Sequence, residues 1–338
     1  MDSPPLACAE AKDQQDFIRS LMADDAAMVQ YANENRLKLL DGFPSQSHFR
    51  VYALLFVENA DRLLQIVQGS NAEQGYIGGA ICAERAALCQ LRFIRSPIVR
   101  KVVVVTDSKH PLSPGALCRE FLMSHVEPDV CVVMGSSEGD EVSQCLMKDL
   151  WPYPYVYRKQ RRSTLLQEME RMSMVLKRVD SLHMDVANNL YAKALSVNSK
   201  DSHDSIHPVR LSAALLFDDS SISTAWQLKG LEYGCTLDPV SQLLLDAERK
   251  KYCLPCNNGD IESASRAFVK PTMLVMVDQM GIAHAPFAQA RSLLSEHGYG
   301  YLQVLVHDEF GDIHVCSIAD LVPQPKDCPL LSHDDFNL

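Results

Sequence analysis

The chain has 338 residues, 47% of them hydrophobic and 22% charged, enough for two domains that each bury a core. Its net charge of -11 argues against a surface that grips a polynucleotide by its phosphates, and suits a small neutral substrate better. The N-terminal stretch lacks an apolar signal core and an arginine-rich transit pattern, and no apolar run reaches membrane-spanning length, so a cytoplasmic protein without membrane attachment is expected. The 11 cysteines, an odd number, then read as reduced thiols and metal ligands rather than a disulfide framework.

In chain order, Asp16 to Leu40 has helical spacing at Phe17, Leu21, Met28, Leu37 and Leu40, and ends at the turn Gly42-Phe43-Pro44. Apolar and β-branched runs predict strands over 49–56, 63–67, 101–106 and 130–134, with helices over 82–93 and 115–123 between them. This alternation predicts a three-layer α/β/α sandwich. A basic cluster, Arg158-Lys159-Gln160-Arg161-Arg162, then opens a helical stretch over 165–195 and reads as a solvated face rather than a nucleic-acid patch.

The second half repeats the first. Arg210 to Phe217 echoes Arg50 to Phe56, Gly234 to Leu243 lies over Gly79 to Leu88, Ala285 to Arg291 matches Ser113 to Arg119, and Ile318 to Pro323 matches Leu146 to Pro152. Two tandem copies of one α/β/α domain are therefore expected over 1–157 and 158–325, followed by a tail over 326–338.

Chemistry concentrates in the first copy. Cys82 and Cys118 each begin a predicted helix, where free N–H groups and the positive end of the dipole favour thiolate over thiol. Glu84 follows Cys82 by two residues, placed beside an ion held there to move protons and not itself as a ligand. Arg85, one turn along, is placed either to donate to the thiolates or to stand in a surface salt bridge. In this alignment the second copy carries Leu237, Pro239 and Ala290 where the first has Cys82, Glu84 and Cys118, so only the first copy is equipped for metal and proton transfer.

At these residues the chain resembles the cytidine deaminase family, in particular two-domain members in which a catalytic domain precedes a degenerate copy. The motifs are Ser47-His48-Phe49-Arg50-Val51, Gly69-Ser70-Asn71-Ala72-Glu73, Cys82-Ala83-Glu84-Arg85-Ala86-Ala87 and Ser113-Pro114-Gly115-Ala116-Leu117-Cys118-Arg119. The resemblance implies zinc on Cys82 and Cys118, with Glu84 as the catalytic proton carrier. Phe49 would flank the nucleoside, Asn71 and Glu73 would bind ribose hydroxyls, and the Ala83 backbone would address the base. In the second copy, Asn71 and Glu73 align with Trp226 and Leu228. The activity implied is hydrolytic deamination of cytidine or deoxycytidine in pyrimidine salvage, by a homodimer. The alternative is a catalytically inactive relative that binds nucleoside or serves as an assembly subunit.

The family pattern departs at Gly115, where a further cysteine ligand is expected. Three arrangements are open: His110 or Asp107 supplies the third ligand, a second water fills the place, or catalysis has been lost. Elsewhere, the Cys253-Leu254-Pro255-Cys256 pair lacks a second pair and reads as structural or incidental, and Cys89 lies two turns from Cys82 and too far to share its metal. His183, His203, His207, Asp334 and Asp335 read as surface, linker or tail residues.

Overall fold

The computed structural model describes residues 6–39, 43–73, 80–155, 157, 162–231, 236–252 and 269–325. Residues 158–161 of the basic cluster, the Cys253 and Cys256 pair, Gly79, Gly234, Leu40, Gly42 and the tail with Asp334 and Asp335 lie outside the described residues. Two compact units emerge: among described residues, one takes 6–151 and 323–325, the other 152–322.

The first unit runs α1 (Leu6–Met22), α2 (Asp25–Arg36), β1 (Val51–Glu58), β2 (Leu64–Ser70), α3 (Ala83–Gln90), β3 (Ile98–Thr106), α4 (Ala116–His125), β4 (Cys131–Gly135), β5 (Val142–Leu146) and α5 (Met147–Leu150). Its sheet has the order β2-β1-β3-β4-β5, with β3 and β4 parallel and the other neighbours antiparallel. Side chains alternate across the pleat. Leu54, Phe56, Val103 and Val105 pack with Ile18, Met28, Val29 and Ala32 of α1 and α2, while α3 packs on the opposite face against β1 and β2, with α4 beside it. Helices, sheet and helices form the three expected layers.

Several boundaries differ from the sequence reading. The helix expected over 16–40 is two helices, because Asp24 leaves the helical conformation at φ -126 and accepts from the Ala27 N–H to cap α2. The fifth strand, β5, was not expected: Val142, Ser143 and Gln144 form a half-buried edge with too little apolar alternation to signal it. The stretch 165–195 is likewise interrupted, by a 3₁₀ turn over Val179–Leu182 and by His183 at φ 52, giving α6 (Arg162–Ser173) and α7 (Asp185–Ser196).

The second unit continues with β6 (Leu211–Phe217), β7 (Ile222–Trp226), α8 (Pro239–Tyr252), β8 (Pro271–Asp278), β9 (Ala283–His284), α9 (Ala288–Glu296), β10 (Gln303–His307), β11 (Ile313–Ser317) and α10 (Ile318–Leu321). Its sheet order, β7-β6-β8-β10-β11 with β9 on β8, repeats the topology of the first. Two tandem copies of one mixed α/β fold are consistent with this arrangement.

Backbone pairing corrects the alignment of the copies by one residue. Tyr52 faces Ser70 and Val105 as Ser212 faces Trp226 and Val277. The Asn71 N–H donates to Val51 O as that of Gln227 donates to Leu211 O, and the Ala72 and Ile81 bridge matches that of Leu228 and Leu237. Gln227, Lys229, Asp238 and Val240 therefore hold the places of Asn71, Glu73, Cys82 and Glu84, not Trp226, Leu228, Leu237 and Pro239. Ala290 still matches Cys118, since Gly115 and Phe287 precede their helices with the same φ -65 and ψ 162.

Candidate active site

Gly69 sets the depth at which α3 sits on the sheet. A Cβ there would lie 2.3 Å from the Ala87 nitrogen and 2.4 Å from the Ala83 oxygen, so only glycine lets β2 approach the helix so closely. This seats the start of α3, with Cys82 as its N-terminal cap residue, beside the first turn of α4.

On the α4 side, Arg119 fixes the approach loop. Its buried guanidinium donates to Pro114 O at 2.7 Å, Leu150 O at 3.1 Å, Pro323 O at 2.7 Å and Ser113 Oγ at 2.7 Å. Sequence reasoning did not single out Arg119, although the conserved pairing with Arg291 across the two copies was its signal: Arg291 donates to Pro286 O, Leu321 O and Pro152 O in the same way.

The two helix starts bring Cys82, Glu84 and Cys118 together, one donor atom from each lying within 4.8 Å of the others. Glu84 and Cys118 are buried. A hydrogen bond from Cys118 is the main reason the Cys82 thiol falls to about 6, with burial opposing and Arg85 assisting. The same hydrogen bond, reinforced by burial, pushes the Cys118 thiol up, so the pair holds one proton between two sulfurs. Burial raises the Glu84 carboxyl to about 7, and the charge on Cys82 adds to the effect. Arg85 Nη2 lies 3.9 Å from Cys82 Sγ and 2.9 Å from Ala80 O, while its Nε is buried with no partner among the described residues.

These groups line a cleft of about 260 Å³ together with Phe49, Asn71 and Glu73, slightly below the roughly 300–1,000 Å³ usual for small-molecule sites. Asn71 is clamped to the entry of β1, accepting from Val51 N at 2.9 Å and donating to Phe49 O at 2.9 Å. Glu73 accepts from Ser47 Oγ at 2.6 Å, Ser47 N at 2.7 Å and Gln46 N at 3.2 Å. Burial pushes its carboxyl up, but these hydrogen bonds outweigh that and hold it below its ordinary value. Ala83 is fully buried at the start of α3.

Neither sequence candidate for a third ligand joins the cluster. Asp107 is held between Arg36 and Arg50, 3.1 Å from Arg50 Nε, and accepts from Arg50 N at 2.7 Å. His110 is exposed and pairs with Glu141 at 2.9 Å. At Gly115 an added Cβ would meet nothing within 4 Å. Two thiols and a carboxyl are donors that zinc accepts, and the Arg85 guanidinium with its orphaned Nε needs nearby negative charge of the kind metal-bound thiolates carry. The residues present fit the ion.

No protein-family profile matches the chain. It is 29% identical over 106 residues to a cytidine deaminase of Halalkalibacterium halodurans, an overlap of 31% of this chain and 76% of that protein. Among solved structures, the cytidine deaminase of Burkholderia pseudomallei is 25% identical, with a TM-score of 0.33 over 38% of this chain and 97% of that one. That of Mycobacterium leprae is 17% identical, with a TM-score of 0.31 over 40% of this chain and 97% of that one. The sequence similarity is thus to a cytidine deaminase, in a chain that gathers two thiols and a buried carboxyl in one cleft.

Proposed function

We propose that the first unit catalyses zinc-dependent hydrolytic deamination of cytidine or deoxycytidine to the corresponding uridine, in pyrimidine salvage. We take it to work as a cytoplasmic homodimer whose second unit is a degenerate packing copy. The observation that carries this reading is the Glu84 carboxyl, buried within 4.8 Å of the Cys82 and Cys118 sulfurs in the cleft that Phe49, Asn71 and Glu73 also line. The named activity of the relative from Halalkalibacterium halodurans supports it.

Cys82 and Cys118 would hold the zinc, and Arg85 would temper their charge. When bound, the ion supplies hydroxide near neutral pH by lowering the pKa of water from 15.7 to roughly 7. Phe49 stands against the base, Asn71 and Glu73 address the ribose hydroxyls, and the Ala83 backbone meets the pyrimidine edge. Glu84 takes the proton that water loses and delivers it to N3 as the C4–O bond forms. It then passes the remaining hydroxyl proton to the amino nitrogen, the C4–N bond breaks, and ammonia leaves with uridine behind. A carboxyl held at about 7 both accepts and gives protons near neutral pH.

The test is uridine formation from cytidine by zinc-loaded protein, with Glu84→Gln as control. Turnover that disappears in the control is expected. Cytidine binding without turnover would identify a nucleoside-binding relative instead, and absence of both would refute the assignment.

A further inference from the structure

Zinc held in a catalytic site normally has three protein donors drawn from thiolate, imidazole and carboxylate. Cys82 and Cys118 provide two, and Gly115 provides none. Asp107 is engaged by Arg36 and Arg50, and His110 by Glu141. Among the described residues, the donor left in reach is the Glu84 carboxyl, with an oxygen inside 4.8 Å of both sulfurs. Bonds of roughly 2.3 Å to sulfur and 2.0–2.2 Å to oxygen put tetrahedral donors about 3.5–3.8 Å apart. Closing the observed triangle by about 1 Å, within the range of side-chain rotation, would bring all three onto one ion.

Charge points the same way. Three thiolates around a divalent ion leave one negative charge, which Arg85 beside Cys82 would balance. With glycine at 115, two thiolates and the ion sum to zero, and the partly orphaned Arg85 guanidinium stands uncompensated. An ionised Glu84 on the metal restores the balance beside this half-buried guanidinium.

We infer that Glu84 is the third protein ligand of the resting zinc site, taking the place of the thiolate that Gly115 removes. The inference rests on the zinc-deaminase reading and deepens it. In zinc deaminases the conserved glutamate is not a ligand and works only on protons; here it must leave the ion before it can carry one. Gly115→Cys therefore frees it. The site accepts that side chain, since a Cβ at 115 meets nothing within 4 Å and the backbone is at φ -65 and ψ 162.

The experiment is zinc affinity, by competition with a chromophoric chelator, for the full chain and for Glu84→Gln, Gly115→Cys and the double variant, with circular dichroism as the check on folding. Glu84→Gln is expected to weaken zinc by about tenfold or more, at least the loss that follows removal of an outer-sphere partner. Gly115→Cys is expected to tighten binding, and in its background Glu84→Gln is expected to weaken zinc less than it does in the wild type. Glu84→Asp, which keeps the charge but shortens the reach, serves as second variant and should also weaken zinc. Equal affinity in the wild type, Glu84→Gln and Glu84→Asp overturns the inference and leaves the deaminase reading standing. A wild-type protein that binds no zinc overturns both.

Discussion

Cys82 and Asp238 stand at the same place in the two units, each the residue before a helix that packs on the first two strands of its sheet. Cys82 presents its sulfur to a cleft, whereas Asp238 turns back on its own helix, its Oδ1 accepting from Val240 N at 2.9 Å and Ser241 N at 3.0 Å. The surrounding positions changed with it. Val240 replaces Glu84, Ala290 replaces Cys118, and Lys229, in place of Glu73, pairs with buried Asp201 at 2.9 Å. The helix N-terminus that faces a cleft in one copy is satisfied from within in the other.

Asp238→Ala should therefore act as loss of a helix cap and nothing more. A destabilisation of about 1 kcal/mol, within the roughly 0.5–2 kcal/mol range for such caps, is expected in denaturant unfolding. Zinc content and cytidine turnover should stay at wild-type values; a change in either would assign Asp238 a role beyond its helix.

Gly69→Ala tests whether close packing of β2 on α3 positions the site. The new methyl would meet backbone atoms at 2.3 and 2.4 Å rather than a side chain able to swing away. Overpacking of this kind costs roughly 1–3 kcal/mol, and more where backbone must move. Because the displaced helix carries Glu84 and starts at Cys82, zinc affinity should fall together with the denaturation midpoint. Reduced stability with unchanged zinc affinity would show that the helix start is held independently of Gly69.

Four strands of the first sheet and the Cys82, Glu84 and Cys118 cluster were legible in the sequence, because apolar runs and helix-start cysteines are local signals. What the sequence concealed depended on partners far along the chain. Asp107 and His110 are close to the cluster in sequence, yet Arg36, Arg50 and Glu141 already hold them. Asp24 splits a helix whose hydrophobic spacing continues across it, and the equivalence of Asp238 with Cys82 follows from bridge pairing, not from residue type.

Asp107 and His110 separate structural from metal-binding roles. The Arg36 side chain is only 3% exposed, and Asp107→Ala would leave its guanidinium without a carboxylate. Removing one partner of a buried pair costs about 3–5 kcal/mol, moderated here by the bonds from Arg36 to Asn33 Oδ1 and Ser137 O. His110→Ala, at an exposed pair, should stay within about ±0.5 kcal/mol. Neither change should lower zinc content in folded protein, and loss of zinc in His110→Ala would restore that residue as a ligand.

Burial of Glu84 predicts a pH dependence whose sign zinc should reverse. In metal-free protein its folded value of about 7 lies above its ordinary 4.5, so between those values the folded state binds more protons than the unfolded. Stability then falls as pH rises through that window, and the full penalty persists above it. Glu84→Gln has no such proton. Its Tm advantage over the wild type should grow from pH 4.5 to 7 in chelator. With saturating zinc at pH 7, a carboxylate that ligates the ion is stabilised while glutamine is a poorer donor, so the wild type should become the more stable protein. A difference that stays constant with pH in chelator would remove the premise that burial sets the Glu84 carboxyl, and a difference unaffected by zinc would separate Glu84 from the metal.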